Sequence, residues 1–374
     1  MQRSGRFLRL LPVVLLLSSA PAAAVEIAVH DEGKVNLNLL LQPQAQLTSN
    51  AAPSGGMKTD LFVRRVRLLF YGDVTKRISF FVETDAPNMG KDGNLDVDVF
   101  MQDAFLSFEY ADDNWIDVGL ILLPLSHNTI TGSIALHTLD YHAPLVLFPR
   151  GSTKIWRDTG VQFRGFLADK RIHYRAGVYK GVVGVNGQTD ASGNPLPALN
   201  PHSIPRLQGH VRYNLFGVED AFFIRGIYFT DKPIVSFGLG ADYQPNAVRV
   251  GTELAHYVAL SLDAFVDVPT GPDQELVFHA NALRYWEGSG TAQSGTGFFT
   301  ELGYRIRKIE PVVSLEWFDS AQANTGFRGY HVGLNYWINK HTVNIKGDLA
   351  FLRNGDLTSV PQLTQGTIQA HLFF

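Results

Sequence analysis

The chain has 374 residues, of which 45% are hydrophobic, a formal net charge of -3 and no cysteine. A charge this close to zero excludes a general electrostatic affinity for nucleic acid, and the lack of cysteine excludes disulfide scaffolds, thiol chemistry and thiolate metal sites. Beyond the first 24 residues no apolar segment reaches the roughly 20 residues that a membrane-spanning helix needs, which excludes helical membrane proteins.

The N-terminus has the pattern of a secretory signal peptide. Three arginines within the first nine residues precede the apolar run 10–17, and alanines follow at 22–24. A basic start, a short apolar stretch and a site of small side chains are the three parts of such a peptide. We predict that residues 1–24 are cleaved off and that 25–374 form one domain. A retained membrane anchor is the alternative, which the lack of a following stop-transfer charge cluster disfavours.

The rest of the chain alternates polar and apolar residues in segments of about ten residues. In 206–215, for example, Arg206 and Arg212 belong to a polar row, whereas Leu207 and Val211 belong to an apolar one. A period of two predicts β-strands, and their number and length favour a transmembrane antiparallel β-barrel over a soluble sandwich. The fold class is therefore all-β.

Seventeen segments are candidate strands. They are 35–47, 60–72, 77–85, 99–110, 115–123, 158–167, 171–180, 205–216, 220–231, 234–243, 256–268, 274–286, 298–308, 311–320, 326–338, 341–352 and 363–374. Because single-chain bacterial barrels have an even number of strands, we favour sixteen, with eighteen as the alternative. The doubtful pair is 220–231 and 234–243, which would form one wall strand plus an extension in an external loop.

Short and long connections take turns along the chain, as a barrel with periplasmic turns and external loops requires. The short ones are the predicted periplasmic turns 72–76, 111–114, 168–170 and 217–219. The long ones, rich in Gly, Pro, Ser, Asn and Asp, are the predicted external loops 48–59, 86–98, 124–157, 181–204, 287–297 and 353–362.

At this point the sequence resembles a known family, the phosphate-selective porins O and P of Gram-negative bacteria. The matching pieces are 62–68 followed by Gly72, 102–105, 118–120 with Pro124, 157–162 and 331–337. The resemblance implies a sixteen-stranded barrel, a homotrimer in the outer membrane, and a third external loop folded into the pore. It also implies passive diffusion of small hydrophilic solutes.

The sequence departs from the name-giving members of that family, which carry many external and pore lysines and arginines for phosphate. The third loop, 124–157, holds Arg150 and Lys154 with three histidines against Asp140, and no dense lysine cluster. The resemblance therefore supports a porin more strongly than it supports phosphate selectivity.

The polar rows predict the lining of a water-filled pore, because charged side chains in a wide barrel can face water. We expect a mixed lining with a slight cationic excess. The inward cations are Arg65, Arg67, Arg164, Arg171, Arg175, Arg206, Arg212, Arg305, Arg307 and Lys346. The inward acids are Glu83, Asp103, Glu109, Asp158, Glu275, Glu301, Glu316 and Asp348.

Arginines and lysines in a constriction replace part of an anion's hydration shell and so select for anions. The selectivity candidates are Arg65, Arg67, Arg164, Arg175 and Arg212 on the strands, with Arg150 and Lys154 in the third loop. The alternative is that these arginines only pair with acids on neighbouring strands and stabilise the wall. Alternation places Arg64 on the outer face, where it would reach lipid phosphates or a subunit contact.

The third loop is unusually apolar for a segment exposed to water, particularly at 144–148. Folding inward against the wall would cover this stretch and narrow the pore. A trimer contact or a lid above the mouth is the alternative. Histidines 127, 137 and 142 could bind a metal or change charge with pH, but isolated loop histidines usually do neither, so no metal site is predicted.

These observations predict an outer-membrane porin for small hydrophilic solutes, with an anion or phosphate preference as the finer hypothesis. An enzyme is not expected, since the sequence has no serine elbow, no His-Glu-x-x-His and no thiol. A third possibility is a conduit barrel that houses a partner protein, for which any cofactor would arrive with the partner. We expect membrane lipid as a partner, and neither a cofactor nor nucleic acid.

Overall fold

A computed structural model describes residues 25–30, 33–149, 151–153, 155–184, 187–355 and 362–374 of the chain. The predicted signal peptide, 1–24, lies outside these residues. So do two of the selectivity candidates, Arg150 and Lys154, whose predicted role stays a prediction.

All strands of the described residues belong to one antiparallel sheet. They are β1 Val25–His30, β2 Gly33–Thr48, β3 Lys58–Thr75, β4 Ile78–Asp85, β5 Phe100–Ala111, β6 Asn114–Leu122, β7 Arg157–Leu167, β8 Ile172–Tyr179, β9 Arg206–Phe216, β10 Ile234–Val250, β11 Glu253–Gly271, β12 Gln274–Trp286, β13 Gly295–Ile306, β14 Ile309–Ser320, β15 Phe327–Asn339, β16 Val343–Asn354 and β17 Leu363–Phe373.

The sheet closes into a barrel of sixteen strands. From β2 onward each strand pairs with the next one in the chain, and β17 pairs with β2. The additional strand β1 pairs with the first residues of β2, beyond the point where β17 ends, and therefore does not enter the ring. The predicted all-β barrel of sixteen strands is confirmed.

The wall is polar on its buried face and apolar on its exposed face. On β9, Arg206 and Arg212 are fully buried, whereas Leu207 and Val211 are each 51% exposed. The buried face of a closed barrel is its inner face. An apolar outer face suits contact with lipid, and a polar inner face suits contact with water.

Short turns join the strands at one end of the barrel, here called the turn end, and longer connections join most of them at the other, the loop end. The two-residue turn between β5 and β6 has Asp113 at φ 56, and that between β11 and β12 has Asp273 at φ 55. Left-handed backbone of this kind matches the twist of the flanking strands, and Asp tolerates it.

Among the described residues helices are few and short: α1 at His127–Ile130 and 3-10 turns at Lys91–Gly93 and Ala143–Leu145. None of them is long and apolar enough to cross a membrane.

One predicted strand is wrong. Residues 220–231 form no strand, and the whole of 217–233 is one connection at the turn end, so the predicted turn 217–219 and the loop-end extension are wrong as well. Aromatic and β-branched residues gave this stretch the composition of a strand. Its run Phe222, Phe223, Ile224 is apolar at consecutive positions, however, and lacks the alternation of a wall strand.

The predicted outward position of Arg64 is also wrong. Leu41 pairs with Val66 and Pro43 with Val63, so Gln42 alone stands opposite both Arg64 and Arg65. Two residues opposite one constitute a β-bulge, which locally breaks the alternation of faces. Both arginines therefore reach the buried side, where both contact Asp140.

Candidate functional site: the buried face of the barrel

Two connections contact the buried face of the wall. One is the predicted third loop, whose residues between β6 and β7 we call the 123–156 segment. The other is the 217–233 segment between β9 and β10. Together with the inward side chains of the strands, these two segments form the candidate site.

The 123–156 segment is tied to the wall by alternating carboxylates and imidazoles. His137 contacts Glu310 and Glu301 at 3.0 Å each, and His142 contacts Glu301 at 2.9 Å and Glu316 at 2.8 Å. Beyond Glu316 the series continues within the wall through His331 to Asp348, with contacts of 3.5 and 3.0 Å. We call these residues the acid–histidine chain: Glu310, His137, Glu301, His142, Glu316, His331 and Asp348.

The two loop histidines of this chain are protonated at neutral pH. Burial disfavours the charged imidazole of His137, but Glu310 and Glu301 outweigh burial and raise its pKa to about 10. Burial also disfavours the charged imidazole of His142, but hydrogen bonds to Glu301 and Glu316 outweigh burial and raise its pKa to about 9. The segment is therefore held to the wall by charged pairs.

The backbone of the segment is bound from the wall as well. Tyr257 donates its hydroxyl to the carbonyl of Leu147 at 2.9 Å, and Tyr285 donates to that of Leu145 at 2.8 Å. The Lys346 ammonium donates to the carbonyl of Thr138 at 2.9 Å. These bonds satisfy carbonyls that would otherwise be buried without a partner.

The apolar stretch 144–148 is covered, as the sequence required. Leu145, Val146 and Phe148 are buried in a cluster with inward aromatic residues of the wall, among them Tyr285 and Phe299. Burial of side chains of this size is worth about 1.5–3 kcal/mol each. The acid–histidine chain and this cluster thus hold the same segment.

The arginines of β3 pair with acids from two sources. Arg65 contacts Asp140 of the 123–156 segment at 2.5 Å and Gln42 at 2.8 Å. Arg67 contacts Asp85 at 2.9 Å and Glu83 at 3.2 Å, both on the neighbouring strand β4. Arg67 therefore follows the predicted wall pairing, whereas Arg65 reaches across to a loop.

The remaining strand candidates lie on β7, β8 and β9. Arg164 contacts Asp117 on β6 at 2.7 Å, and Arg212 contacts Glu219 of the 217–233 segment and, at 3.0 Å, Asp263 on β11. Arg175 is bound by no acid among the described residues. It donates to the carbonyl of Phe222, and its Nη1 has no hydrogen-bond partner.

Among the described residues buried Asp and Glu outnumber buried Arg and Lys, even when the protonated His137 and His142 are added to the cations, so the expected cationic excess of the lining is wrong. The buried cations are Arg65, Arg67, Arg157, Arg175, Arg206, Arg212, Arg305 and Lys346. The buried acids are Glu83, Asp85, Asp103, Asp117, Asp158, Glu219, Asp242, Asp263, Asp267, Glu275, Glu287, Glu301, Glu310 and Glu316.

The acids that the sequence prediction left out of the lining fall into two groups. Asp117 and Asp263 sit on strands in positions that alternation marks as inward, so a stricter count of the polar rows could have found them. Asp140 and Glu219 lie in connections, and only the folded chain shows that they reach the wall. Among the described residues no group of His, Asp and Glu is arranged to hold a metal ion.

Two recesses lie on opposite sides of the segments. The one at the loop end has a volume of about 280 Å³ and is lined by Gln44, Gln46, Arg64, Asn88, Thr138, Asp140, His142, Glu316 and Asp348 with others. The one near the turn end has a volume of about 340 Å³ and is lined by Asp73, Ser107, Arg164 and Phe222 with others. Residues 138–142 border the first recess and Phe222 borders the second.

The fold is that of bacterial porins. The chain is similar to an anion-selective porin from Comamonas acidovorans, with 14% identity, a TM-score of 0.58, and coverage of 92% of this chain and 100% of that one. It is similar to OmpF of Salmonella typhi, solved with daunomycin, with 12% identity, a TM-score of 0.60, and coverage of 94% and 100%. It is also similar to Pseudomonas putida OprB, with 8% identity, a TM-score of 0.61, and coverage of 92% of this chain and 94% of that one. No family model and no curated protein matches the sequence.

Proposed function

We propose that the protein is a porin of a Gram-negative outer membrane, through which small hydrophilic solutes diffuse passively. The observation that carries this proposal is the closed sixteen-strand wall whose polar rows are buried inside and whose apolar rows are exposed outside. Such a wall is stable only when lipid surrounds it and water or polar groups fill it. The likeness in fold to porins supports it.

We propose that the 123–156 segment is the constriction of this pore. It meets inward side chains on β3, on β11 to β14 and on β16, so it extends across the section of the barrel. A solute that enters the recess at the loop end meets residues 138–142 of this segment first. Their carboxylate, imidazole and hydroxyl groups can replace water around a polar solute.

For ion selectivity we propose a weak preference for cations. Arg65, Arg67, Arg164 and Arg212 are each paired with an acid, and the buried acids outnumber the buried cations among the described residues. Fixed acids along a pore lower the barrier for cations and raise it for anions.

A preference for anions, including the phosphate preference implied by the sequence resemblance, is the second candidate. Arg175 favours it, because this arginine has no acid within ion-pair distance among the described residues and one of its nitrogens has no partner.

Neither an enzyme nor a conduit is favoured by the arrangement. The acid–histidine chain contains no serine, threonine or lysine for an imidazole to activate, and its imidazoles are held between carboxylates. A conduit would need room for a partner protein, whereas two segments of the chain itself occupy the buried side of the wall.

The first experiment measures single channels of the purified mature protein in planar bilayers under a KCl gradient, and then with phosphate added. A porin gives discrete conductance steps, and the sign of the reversal potential decides between the two selectivities. The variant Arg175→Gln tests the second candidate, with the outward-facing Arg284→Gln as its matched control. The second candidate is established if the channel is anion-selective and phosphate blocks it, and if Arg175→Gln removes the block by phosphate whereas Arg284→Gln does not.

We further propose that the mature chain begins at residue 25 and assembles as a homotrimer. Mass spectrometry of the exported protein locates the cleavage site, and native mass measurement in detergent counts the subunits. A monomer under conditions in which the barrel is folded would remove the trimer from the proposal without affecting the channel.

A further inference from the structure

The 217–233 segment is unusual for its end of the barrel. The other connections at the turn end have two to four residues, whereas this one has seventeen, of which Glu219, Ile224, Gly226 and Ile227 are buried. We propose that it is a lid that closes the pore from the periplasmic side by pairing with the 123–156 segment. This inference rests on the proposed channel function and adds a gate to it.

The first half of the lid lies against one side of the barrel. The ring of Phe222 stacks on Phe105 of β5 with 5.0 Å between centroids, and Phe223 meets Phe81 of β4 edge-on at 5.4 Å. The guanidinium of Arg175 donates to the carbonyl of Phe222 and lies over its ring. Aromatic contacts of this kind add about 0.5–1.5 kcal/mol each to the burial of the rings.

The second half of the lid lies against the opposite side. The amide of Thr230 donates to Glu275 of β12 at 3.1 Å, and Arg305 of β13 lies 5.3 Å over the ring of Phe229. The same ring meets Trp337 of β15 edge-on at 5.0 Å. Because β5 and β13 are eight strands apart in a ring of sixteen, the lid spans the diameter of the barrel.

Between these two anchors the lid is bonded to the 123–156 segment through the backbone. The amide of Ile224 donates to the carbonyl of Ile130 at 3.1 Å, and that of Gly132 donates to the carbonyl of Ile224 at 2.9 Å. Ile224 thus forms a parallel bridge with Thr131, and Ile130 and Ile224 are both fully buried. A dry backbone pairing in mid-barrel bars the passage of water and solutes.

Glu219 acts as the latch of the lid. This fully buried carboxylate accepts hydrogen bonds from Ser236 at 2.7 Å and from Tyr228 at 3.0 Å. It also contacts His127 of the 123–156 segment at 3.0 Å and pairs with Arg212 of β9. Four groups from two strands, the lid and the opposing segment therefore converge on one carboxylate.

The latch is stable toward acid. Burial disfavours the charged form of Glu219, but the Arg212 charge and the hydrogen bonds from His127 and Ser236 outweigh burial and hold its pKa well below the usual range of a glutamate. The other charged neighbour in the group is Asp263, which contacts Arg212 and the His127 amide. We therefore expect no opening in mildly acidic solution.

The lid, and not the 123–156 segment, is the part that can move. The 123–156 segment is fixed by the acid–histidine chain and by its buried apolar stretch. The lid leaves the wall at Gly217, whose φ is 64. Its face away from the pairing is exposed and charged, and consists of Asp220, Arg225, Asp231 and Lys232. A segment with one dry face and one hydrated face can separate from its apolar partner without burying charge.

Because the chain contains no cysteine, the pairing can be locked without background chemistry. The variant Thr131→Cys/Ile224→Cys places thiols on two bridged residues, and paired backbones lie about 4.8 Å apart, which is within the range of Cα separations that a disulfide spans. We expect oxidation to abolish channel openings and a reductant to restore them to the level before oxidation. Thiol labelling measures how much of the protein is cross-linked, and the two single-cysteine variants control for the substitutions and the oxidant.

A second variant replaces residues 217–234 by Asn-Gly, which closes a hairpin between the cross-strand partners Phe216 and Val235. Without the lid we expect larger and more persistent conductance than in the wild type. If the cross-linked protein conducts as well as the reduced one, the lid is overturned and the channel stands. If neither the wild type nor the lidless variant conducts, the channel function itself is overturned, and the lid with it.

Discussion

At the scale of single residues, Asp140 is the group whose loss should change the pore most. It pairs with Arg64 at 2.6 Å and with Arg65 at 2.5 Å, and burial of its carboxylate is outweighed by these two cations, which hold its pKa below the usual range. In Asp140→Asn both arginines lose their acid, so we expect the reversal potential to shift toward anions. The Asp140 side chain is 28% exposed, so we expect a loss of stability smaller than the about 3–5 kcal/mol that breaking a fully buried pair costs.

Reversal potentials and urea unfolding in detergent check both expectations for Asp140→Asn. The matched control is Asp112→Asn, which removes a carboxylate from an exposed turn far from the 123–156 segment. An unchanged reversal potential in Asp140→Asn would mean that ions do not pass Arg64 and Arg65.

Two other residues, His137 and His142, make the attachment of the 123–156 segment dependent on pH. Docking raises the pKa of His137 to about 10 and that of His142 to about 9, above the ordinary value of 6.5. A raised pKa contributes stability that is complete below about pH 6.5 and is lost as the pH passes through the raised value. We therefore expect the segment to be docked at neutral pH and to loosen between about pH 9 and 10.

Conductance noise recorded from pH 6 to 11 checks this dependence. A loosened 123–156 segment should increase the conductance noise. In His142→Gln the imidazole charge is absent, so we expect this increased noise already at neutral pH. The control is His202→Gln, which changes an exposed histidine of another loop. Equal noise at all pH values in the wild type would show that the acid–histidine chain does not hold the segment.

At the scale of strands, the face on which a residue lies determines how much stability the barrel loses when a charge is introduced there. Val332 is exposed on the outer face of β15, and its cross-strand partners Val313 and Leu349 are exposed as well. We expect Val332→Arg to destabilise the barrel in lipid by about 2–4 kcal/mol if the residue lies near the bilayer midplane. The control Gln46→Arg places the same charge in the recess at the loop end, where water solvates it and folding should be unaffected.

Urea unfolding in lipid vesicles compares the two variants. If both lose the same stability, the exposed apolar face is not the face in contact with lipid, and the membrane assignment of the wall is wrong.

Alternation predicted the strands well because it is a local property, and it failed where the chain leaves a regular strand. The polar rows of β8 and β9 were found because a period of two persists over their full length. Arg64 was placed on the wrong face because the bulge opposite Gln42 depends on pairing between two strands. The lid was taken for a strand because its composition resembles one, and its position inside the barrel depends on partners far away in the sequence.

At the scale of the whole molecule, the closed barrel could be predicted from the sequence, but the partners of its charges could not. A strand pattern states which side chains point inward, and it leaves open which of them meet across the barrel. The pairs of Arg65 with Asp140 and of Arg212 with Glu219 join a strand to a connection, so no strand register contains them. The sign of the lining changed for a different reason, because strand acids that the sequence prediction did not count, among them Asp117, Asp242 and Asp263, are buried as well.

The charges are also distributed unequally around the barrel, and this leads to a prediction about salt. Most of the buried cations lie on β3 to β9, whereas β10 to β17 carry a clear excess of buried acids. Fields from such a wall act over about one Debye length, which falls from about 10 Å at 0.1 M salt to about 3 Å at 1 M. We expect a weak cation preference in dilute KCl that disappears in concentrated KCl.

Reversal potentials at one fixed concentration ratio, recorded around 0.1 M and around 1 M KCl, check this dependence. The barrier set by the wall acts at a distance and is screened by salt, whereas a preference set by direct contact with one arginine is screened much less. A salt-resistant anion preference would therefore locate selectivity at Arg175, a buried arginine that has no acid within ion-pair distance among the described residues. A cation preference that fades with salt would assign selectivity to the acids of β10 to β17 as a group.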